Sequence, residues 1–484
     1  MSNPLSGIEP AELWKWFYEI TRIPRESKNE AGIRKYLADW AGKHGCQHVI
    51  DEAGNIIIKA PATPGHEKAA PVVLQGHMDM VCEKNSDVTF DFAKQPIDAH
   101  VEGDFVKARG TTLGADNGIG IAAGQAAVTD PNMVHGPLEL LFTVDEETGL
   151  TGATNLGDGL LQGRRLLNVD SEEEGVLTIG CAGGADSHVY LPLARQAPPA
   201  GSEALAIRLF GLKGGHSGID AHLQRGNAGR LLSRALYAVL PKQLFRVADL
   251  QGGNAHNAIP REATATIVAA KGIDRLQDLL AAQLEMIRDE FRPAEPDMQF
   301  SIDAAEAPSQ VWTAETTAHG LQLIVALPHG VEGMSYTIKG LVETSANEAV
   351  IKEDDGRLSI LMSSRSSEAS ALQALRQRIR AIGSLAGADV VEDEGYPGWK
   401  PDVNSHLLGV LKEVHEQVTG KEAEVGAVHA GLECGIIGEK YPGMDMISLG
   451  PQIEFPHSPD ERVKVDTVGT FYDLLTRTLE RLTR

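Results

Sequence analysis

The chain has 484 residues, 42% hydrophobic and 23% charged, with 44 Lys+Arg against 67 Asp+Glu and a net charge of −23. A chain this acidic is repelled by phosphate backbones and anionic lipid, so neither nucleic acid nor a membrane is expected as a partner, and its length allows two or three domains. Cys46, Cys82, Cys181 and Cys434 form no C-x-x-C pair, the N-terminus lacks a basic segment ahead of an apolar core, and no apolar run nears the roughly 20 residues of a membrane span; a cytoplasmic protein is expected.

In chain order, "PAELWKWFYEITRI" (10–23) has the spacing of an amphipathic helix. "SKNE", Ser27 to Glu30, fits a capping box that starts a second helix over 30–45. "NIIIKA" (55–60) and "PVVLQG" (71–76) have the continuous apolar character of buried strands, as do "PLELLFTV" (137–144), "RRLLNV" (164–169) and "DMISLG" (445–450). Between them "NGIGIAAGQAAV" (117–128) is helical and rich in small residues. Alternating strands and helices predict an α/β layer architecture.

Near residue 188 the texture changes. "ALAIRLFGL", "ATATIVAA", "MQFSIDAA", "MSYTIKGLVE" and "RLSILMSS" alternate as strands of a half-exposed antiparallel sheet, with helices between them. Helix–strand–hairpin–strand–helix order occurs twice here, which suggests an internal duplication. The expected division is one discontinuous α/β domain, 1–187 and 393–484, interrupted by an inserted α+β domain, 188–392.

Strand 71–76 ends in His77 and Asp79, strand 138–144 in Asp145, Glu146 and Glu147, and strand 166–169 in Asp170. Strand 445–449 is followed by a loop carrying His457, and Asp116 stands at a helix start. In open α/β sheets ligands collect beyond the carboxyl ends of the strands. Two histidines and several carboxylates without cysteine suit two divalent ions such as Zn²⁺, Mn²⁺ or Co²⁺, which need a shared anionic ligand. Asp79 beside His77 suits the task of orienting its ring, and a spare carboxylate can take a proton from water, so the set describes a hydrolase. Glu172, Glu173 and Glu174 read as a solvated face, and "GIGIAAG" lacks the preceding strand of a dinucleotide loop.

"GHMDMVCEKN", "GTTLGADNGIGIA", "LLFTVDEETGLTGA", "LLNVDSEEEG" and "EFPHSPDERV" together resemble the M20 clan of di-metal peptidases. Within it the resemblance is to the Xaa-His dipeptidase (aminoacyl-histidine dipeptidase, cytosol non-specific dipeptidase) family, which implies that the discontinuous domain is a zinc-peptidase-like α/β/α catalytic domain and the inserted one a lid or dimerisation-type α+β domain. The resemblance implies that His77 and Asp170 hold one metal, Glu147 and His457 the other, and that Asp116 bridges them. It makes Glu146 the general base and implies a cis peptide after Asp116. His216 in "GLKGGHSGID" matches the lid histidine that stabilises the oxyanion, although spacing alone describes a Gly-rich turn. Asn257 and Arg365 match positions that hold the substrate's C-terminal carboxylate; an exposed Arg on an edge strand is the alternative. Glu433 in "AVHAGLECG" is a candidate receiver of the substrate's free amino group, with a structural turn as the alternative. The implied activity is hydrolysis of dipeptides with a free N-terminus, commonly Xaa-His such as β-Ala-His, by a monomer or homodimer. A sibling deacylase or tripeptidase and a non-catalytic metal- or peptide-binding protein stay open at this point.

Overall fold

The computed structural model of the protein describes residues 3–484, in two units. The first extends to Gly180 and resumes over Trp399–Ala427 and Leu432–Arg484; the second is Cys181–Gly398 with Val428–Gly431. No helix among the described residues is long and apolar enough to cross a membrane.

The mixed α/β architecture expected from the alternation is present in the first unit. Its eight-stranded sheet runs in the order Gln47–Ile50, Ile56–Ala60, Leu138–Thr143, Val72–His77, Arg165–Asn168, Asp445–Ser448, Val176–Cys181, Glu424–Val428. The four strands from Leu138–Thr143 to Asp445–Ser448 are mutually parallel, so their carboxyl ends share one edge. Strands Val72–His77 and Leu138–Thr143 are buried at every position, which is why their apolar runs are continuous. Helix Ala115–Thr129 packs on strand Val72–His77 and on helix Ala11–Thr21. Its small residues permit that depth: a Cβ on Gly124 would stand 3.0 Å from the Phe142 ring. A four-stranded sheet, Ile453–Glu454, Arg462–Lys464, Phe105–Ala108, Ala99–Glu102, holds both ends of the loop that carries His457.

The second unit is built on a nine-stranded sheet. One run comprises strand Glu203–Phe210, helix Ala228–Val239, strands Arg246–Gly252 and Ala263–Ala269, helix Ile273–Phe291 and strand Gln299–Ala305. A second begins with strand Gly183–Pro192 and continues with helix Ala314–Ala326, strands Val342–Asp354 and Arg357–Ser366, helix Ala369–Leu385 and strand Asp389–Glu392. Numbering the strands of each run from one to four, both runs follow the order 4-1-3-2 within the sheet, and they join where Gly252 pairs with Ile351. The four helices bury Leu232, Leu236, Leu284, Leu321, Ile324 and Ile379 against the sheet in one core.

One expected strand is absent. Residues 335–341 of "MSYTIKGLVE" are the tip of a hairpin between strands Gly330–Met334 and Val342–Asp354, with Tyr336 98% exposed. The Ser335 hydroxyl accepts the N–H groups of Thr337 and Ile338, and Gly340 takes φ 85°, so local turn chemistry overrides the alternation.

Candidate metal centre

The edge formed by the parallel strands collects the expected ligands. His77 is the last residue of its strand, Asp170 lies two residues beyond Asn168, and Glu146 opens a short helix directly after Asp145, whose φ is 51°. Asp116 sits in the first turn of helix Ala115–Thr129, with non-helical dihedrals and a cis peptide to Asn117. Asn117 donates Nδ2–H to the Val169 carbonyl at 2.8 Å, which ties this turn to the outlet of the neighbouring strand. The approach is so close that a Cβ on Gly76 would lie 2.1 Å from Asn117 Oδ1.

The ligand atoms form two sets that share one carboxylate. His77 Nε2 lies 2.9 Å from Asp116 Oδ1 and 3.3 Å from Asp170 Oδ1. His457 Nε2 lies 3.2 Å from Asp116 Oδ2 and 3.0 Å from Glu147 Oε2. Ligands around a tetrahedral ion with bonds of about 2.0–2.1 Å stand roughly 3.3 Å from one another, so these separations fit such an ion in each set. Glu147 Oε1 and Asp170 Oδ1 are buried without a hydrogen-bond partner among the described residues, as acceptors reserved for a cation are. Glu146 approaches His77 and Glu147 within the same cluster.

Electrostatics follow from this crowding. Burial lowers the affinity of His77 for a proton, but Asp170, Asp116 and Asp79 outweigh it and the imidazole titrates well above its ordinary range. Hydrogen bonding to Asp116 and Glu147 pushes His457 up to about 11. Burial raises Asp170 to about 6 against the opposing pull of His77. Burial, then Asp170, Glu433 and Glu147, push Glu146 well above the usual carboxylate range despite His77. A divalent cation replaces such protons on binding.

Asp79 does more than face His77. Its Oδ1 is 3.4 Å from His77 Nδ1, long for a hydrogen bond. It also accepts the backbone N–H groups of Glu146 at 3.1 Å and Glu147 at 3.2 Å, and the Ser27 hydroxyl at 2.8 Å. Burial works against ionisation, yet these donors and His77 hold Asp79 at about 2. Ser27 and Glu30 therefore do not form the expected capping box: Glu30 Oε1 accepts the N–H of Lys28 at 2.8 Å and of Asp145 at 3.0 Å. Glu172 is not solvated either; its partly buried carboxyl faces Asp116 and Asp170, and burial raises it to about 8. No spacing marked it apart from its two exposed neighbours.

A buried polar row underlies the ligands, two positions back along the strands. The Ser448 hydroxyl donates to Asn168 Oδ1 at 2.5 Å, Asn168 Nδ2 to Gln75 Oε1 at 2.6 Å, and Gln75 Nε2 to Glu433 Oε2 at 2.5 Å. Thr143 also donates to Glu433 Oε2 at 2.7 Å, while Glu433 Oε1 has no hydrogen-bond partner among the described residues.

His216, Asn257 and Arg365 belong to the second unit. Arg365 is no edge residue: its strand lies between Val342–Asp354 and Gly183–Pro192, it is 6% exposed, and Nη1 donates to the Tyr396 hydroxyl at 2.8 Å. His216 Nδ1 accepts the N–H groups of Gly218 at 3.2 Å and Ile219 at 3.0 Å, so Nε2 carries the proton. Burial and the Arg365 cation hold this imidazole at about 4, hence neutral near pH 7. His429 Nε2 meets the Ser345 hydroxyl at 2.7 Å and is likewise lowered to about 4 by burial and Arg365. Asn257 is exposed on its hairpin and accepts the Ser217 N–H at its backbone carbonyl.

The chain is 43% identical over 481 residues to the cytosol non-specific dipeptidase of Escherichia coli (strain K12), covering 99% of each. The fold matches the crystal structure of aminoacylhistidine dipeptidase from Vibrio alginolyticus with a TM-score of 0.93 and 41% identity, covering 99% of this chain and 98% of that one. An aminopeptidase from Bacillus cereus shares the fold at 17% identity and a TM-score of 0.58, covering 99% and 100% of the two chains. The model of peptidase family M20/M25/M40 matches residues 73–481, and with these relatives it establishes that the chain belongs to that family of peptidases.

Proposed function

We propose that the protein is a two-metal dipeptidase that hydrolyses dipeptides with a free N-terminus, commonly Xaa-His such as β-Ala-His. The observation that carries this reading is the pair of ligand sets sharing Asp116, with Glu146 beside them. The names of the relatives from E. coli and V. alginolyticus agree with it. His77 and Asp170 would hold one ion, Glu147 and His457 the other, with Asp116 between; Zn²⁺ suits the nitrogen and oxygen donors, and Mn²⁺ or Co²⁺ are alternatives. When bound, such ions supply Lewis acidity to the scissile carbonyl and to water.

The chain's own groups supply the rest. Glu146, held by the turn on Asp79, takes the proton from the attacking water and delivers it to the leaving amine. Glu433 Oε1, buried and without a hydrogen-bond partner among the described residues, is the candidate receiver of the substrate ammonium. His216, as an Nε2–H donor, stabilises the oxyanion, and Arg365 with Asn257 holds the C-terminal carboxylate. These roles assign the second unit, expected over 188–392, as a lid, and the matching strand orders of its two runs support a duplication. We further assign the protein to the cytoplasm, in line with the E. coli relative's name, and expect a homodimer or monomer.

The test is turnover of β-Ala-His and Ala-His against acetyl-amino acids and tripeptides, with the chelated protein reloaded with Zn²⁺, Mn²⁺ or Co²⁺. Preference for acetyl-amino acids or tripeptides replaces the dipeptidase reading with a sibling hydrolase, and absence of any turnover replaces it with a binding protein.

A further inference from the structure

Two buried charges outside the ligand set grip the backbone that carries Asp116. The Glu461 carboxylate is 2% exposed. It accepts four successive N–H groups: Leu113 at 2.7 Å and Gly114 at 2.9 Å on Oε2, and Ala115 at 2.7 Å and Asp116 at 3.4 Å on Oε1. These amides begin helix Ala115–Thr129, where N–H groups lack helical partners and carry partial positive charge. Arg25, also 2% exposed, works from the opposite side. Its Nη1 donates to the carbonyls of Met78 at 3.1 Å and Asp79 at 2.5 Å, and its Nη2 to the carbonyl of Gly114. Gly114 is thus held at its N–H by Glu461 and at its carbonyl by Arg25. Its φ is 70°, and a Cβ there would lie 2.5 Å from Arg25 Nη2 and 2.7 Å from Met80 Sδ.

Each charge links two ligand-bearing segments. Glu461 lies four residues beyond His457, so it ties that loop to the turn of Asp116. Arg25 ties the same turn to the outlet of strand Val72–His77, which delivers His77. A buried charge without compensation is costly, and the cation and anion here sit on either side of one peptide, each offsetting the field of the other.

We propose that Arg25 and Glu461 are positioning residues that fix the bridging carboxylate of Asp116 between His77 and His457. The inference rests on the two-metal reading above. Loss of either grip lets the 113–116 turn shift, and the ion held less tightly is the first affected.

The test uses the full chain, with Glu461→Gln and Arg25→Lys compared with wild type and with the surface control Glu290→Gln. Zn²⁺ stoichiometry and affinity are read by competition with a chromophoric chelator, coordination by the visible spectrum of the Co²⁺ form, folding by thermal melting of the chelated protein, and catalysis as separate kcat and KM. Wild type and control are expected to bind two ions. Glu461→Gln is expected to melt cooperatively, weaken the looser ion at least tenfold, shift the Co²⁺ bands, and lower kcat at least tenfold with KM within threefold; Arg25→Lys is expected to do the same to a smaller degree. If both variants bind two ions with wild-type affinity and unchanged Co²⁺ bands, the inference is overturned even where melting temperature falls. If neither variant folds, the two residues are structural supports and the inference is likewise overturned. If wild type itself binds fewer than two ions, the two-metal reading fails first and takes the inference with it.

Discussion

The carboxylate of Asp79 accepts the backbone N–H of Glu146 at 3.1 Å, so the residue that faces His77, a proposed metal ligand, also fixes the turn bearing Glu146, the proposed base. Both halves of the centre are therefore referred to one side chain. Asp79→Ala is expected to lower metal affinity or kcat by roughly 10–100-fold, as loss of such supporting partners does. Asp79→Asn, which cannot accept on both sides, is expected to fall between wild type and Asp79→Ala. Chelator competition and steady-state kinetics measure the two effects, and wild-type values for Asp79→Ala would refute the role.

Glu146→Gln removes the proposed proton acceptor and keeps the side-chain shape. The expected loss in kcat is about 10²–10⁴-fold, the usual contribution of general base catalysis, with two ions retained by elemental analysis. A variant that lost metal and activity together would instead make Glu146 a ligand.

Chelation to completion is expected to abolish turnover, and Zn²⁺, Mn²⁺ or Co²⁺ to restore it. The proton load of the centre adds a second readout. Carboxylates hold His77 and His457 above the ordinary histidine range, so loading near pH 7 is expected to release protons into weakly buffered solution. Absence of proton release during calorimetric titration in two buffers would count against the protonated pair.

Arg365→Ala is expected to raise KM for dipeptides by roughly 10–100-fold, the range for losing a hydrogen bond to a charged group. C-terminally amidated substrates are expected to show almost no change, because they lack the anion. Equal effects on acids and amides would remove Arg365 from carboxylate recognition.

His329 predicts a pH dependence of stability. Burial, then Arg230, lower its pKa to about 3, against about 6.5 for an unfolded histidine. Between those values the unfolded chain binds a proton that the folded chain refuses. The contribution is complete above pH 6.5 and is lost as pH falls toward 3. Urea unfolding at pH 7.5 and pH 5 is expected to show a smaller pH difference for His329→Gln than for wild type; an equal difference would reject it.

The proposed metal ligands other than His457 were legible because each follows an apolar strand or opens a helix, where period and composition mark the boundary. His77, Asp170 and Glu147 follow continuous buried runs, and the parallel order of those runs brings them to one edge. The supports were not legible, because their partners are backbone groups distant in sequence. Ser27 and Glu30 have the spacing of a cap, yet Ser27 donates to Asp79 and Glu30 accepts the N–H of Asp145. Arg25 and Glu461 are ordinary charged residues until folding surrounds them with carbonyls and amides. A different limit applied to "MSYTIKGLVE", where a local serine-anchored turn decided against the alternation.

Within the second unit, Arg195 pairs with Trp312 and Gln196 with Val311, a short antiparallel stem through which the chain enters and leaves the first run. The stem brings the two ends of that long excursion together, so the excursion is grafted onto the parent sheet as a closed cassette. A cassette with adjoining ends can lengthen, shrink or be exchanged without rethreading the strands around it, which makes this stem a natural junction for building chimaeras.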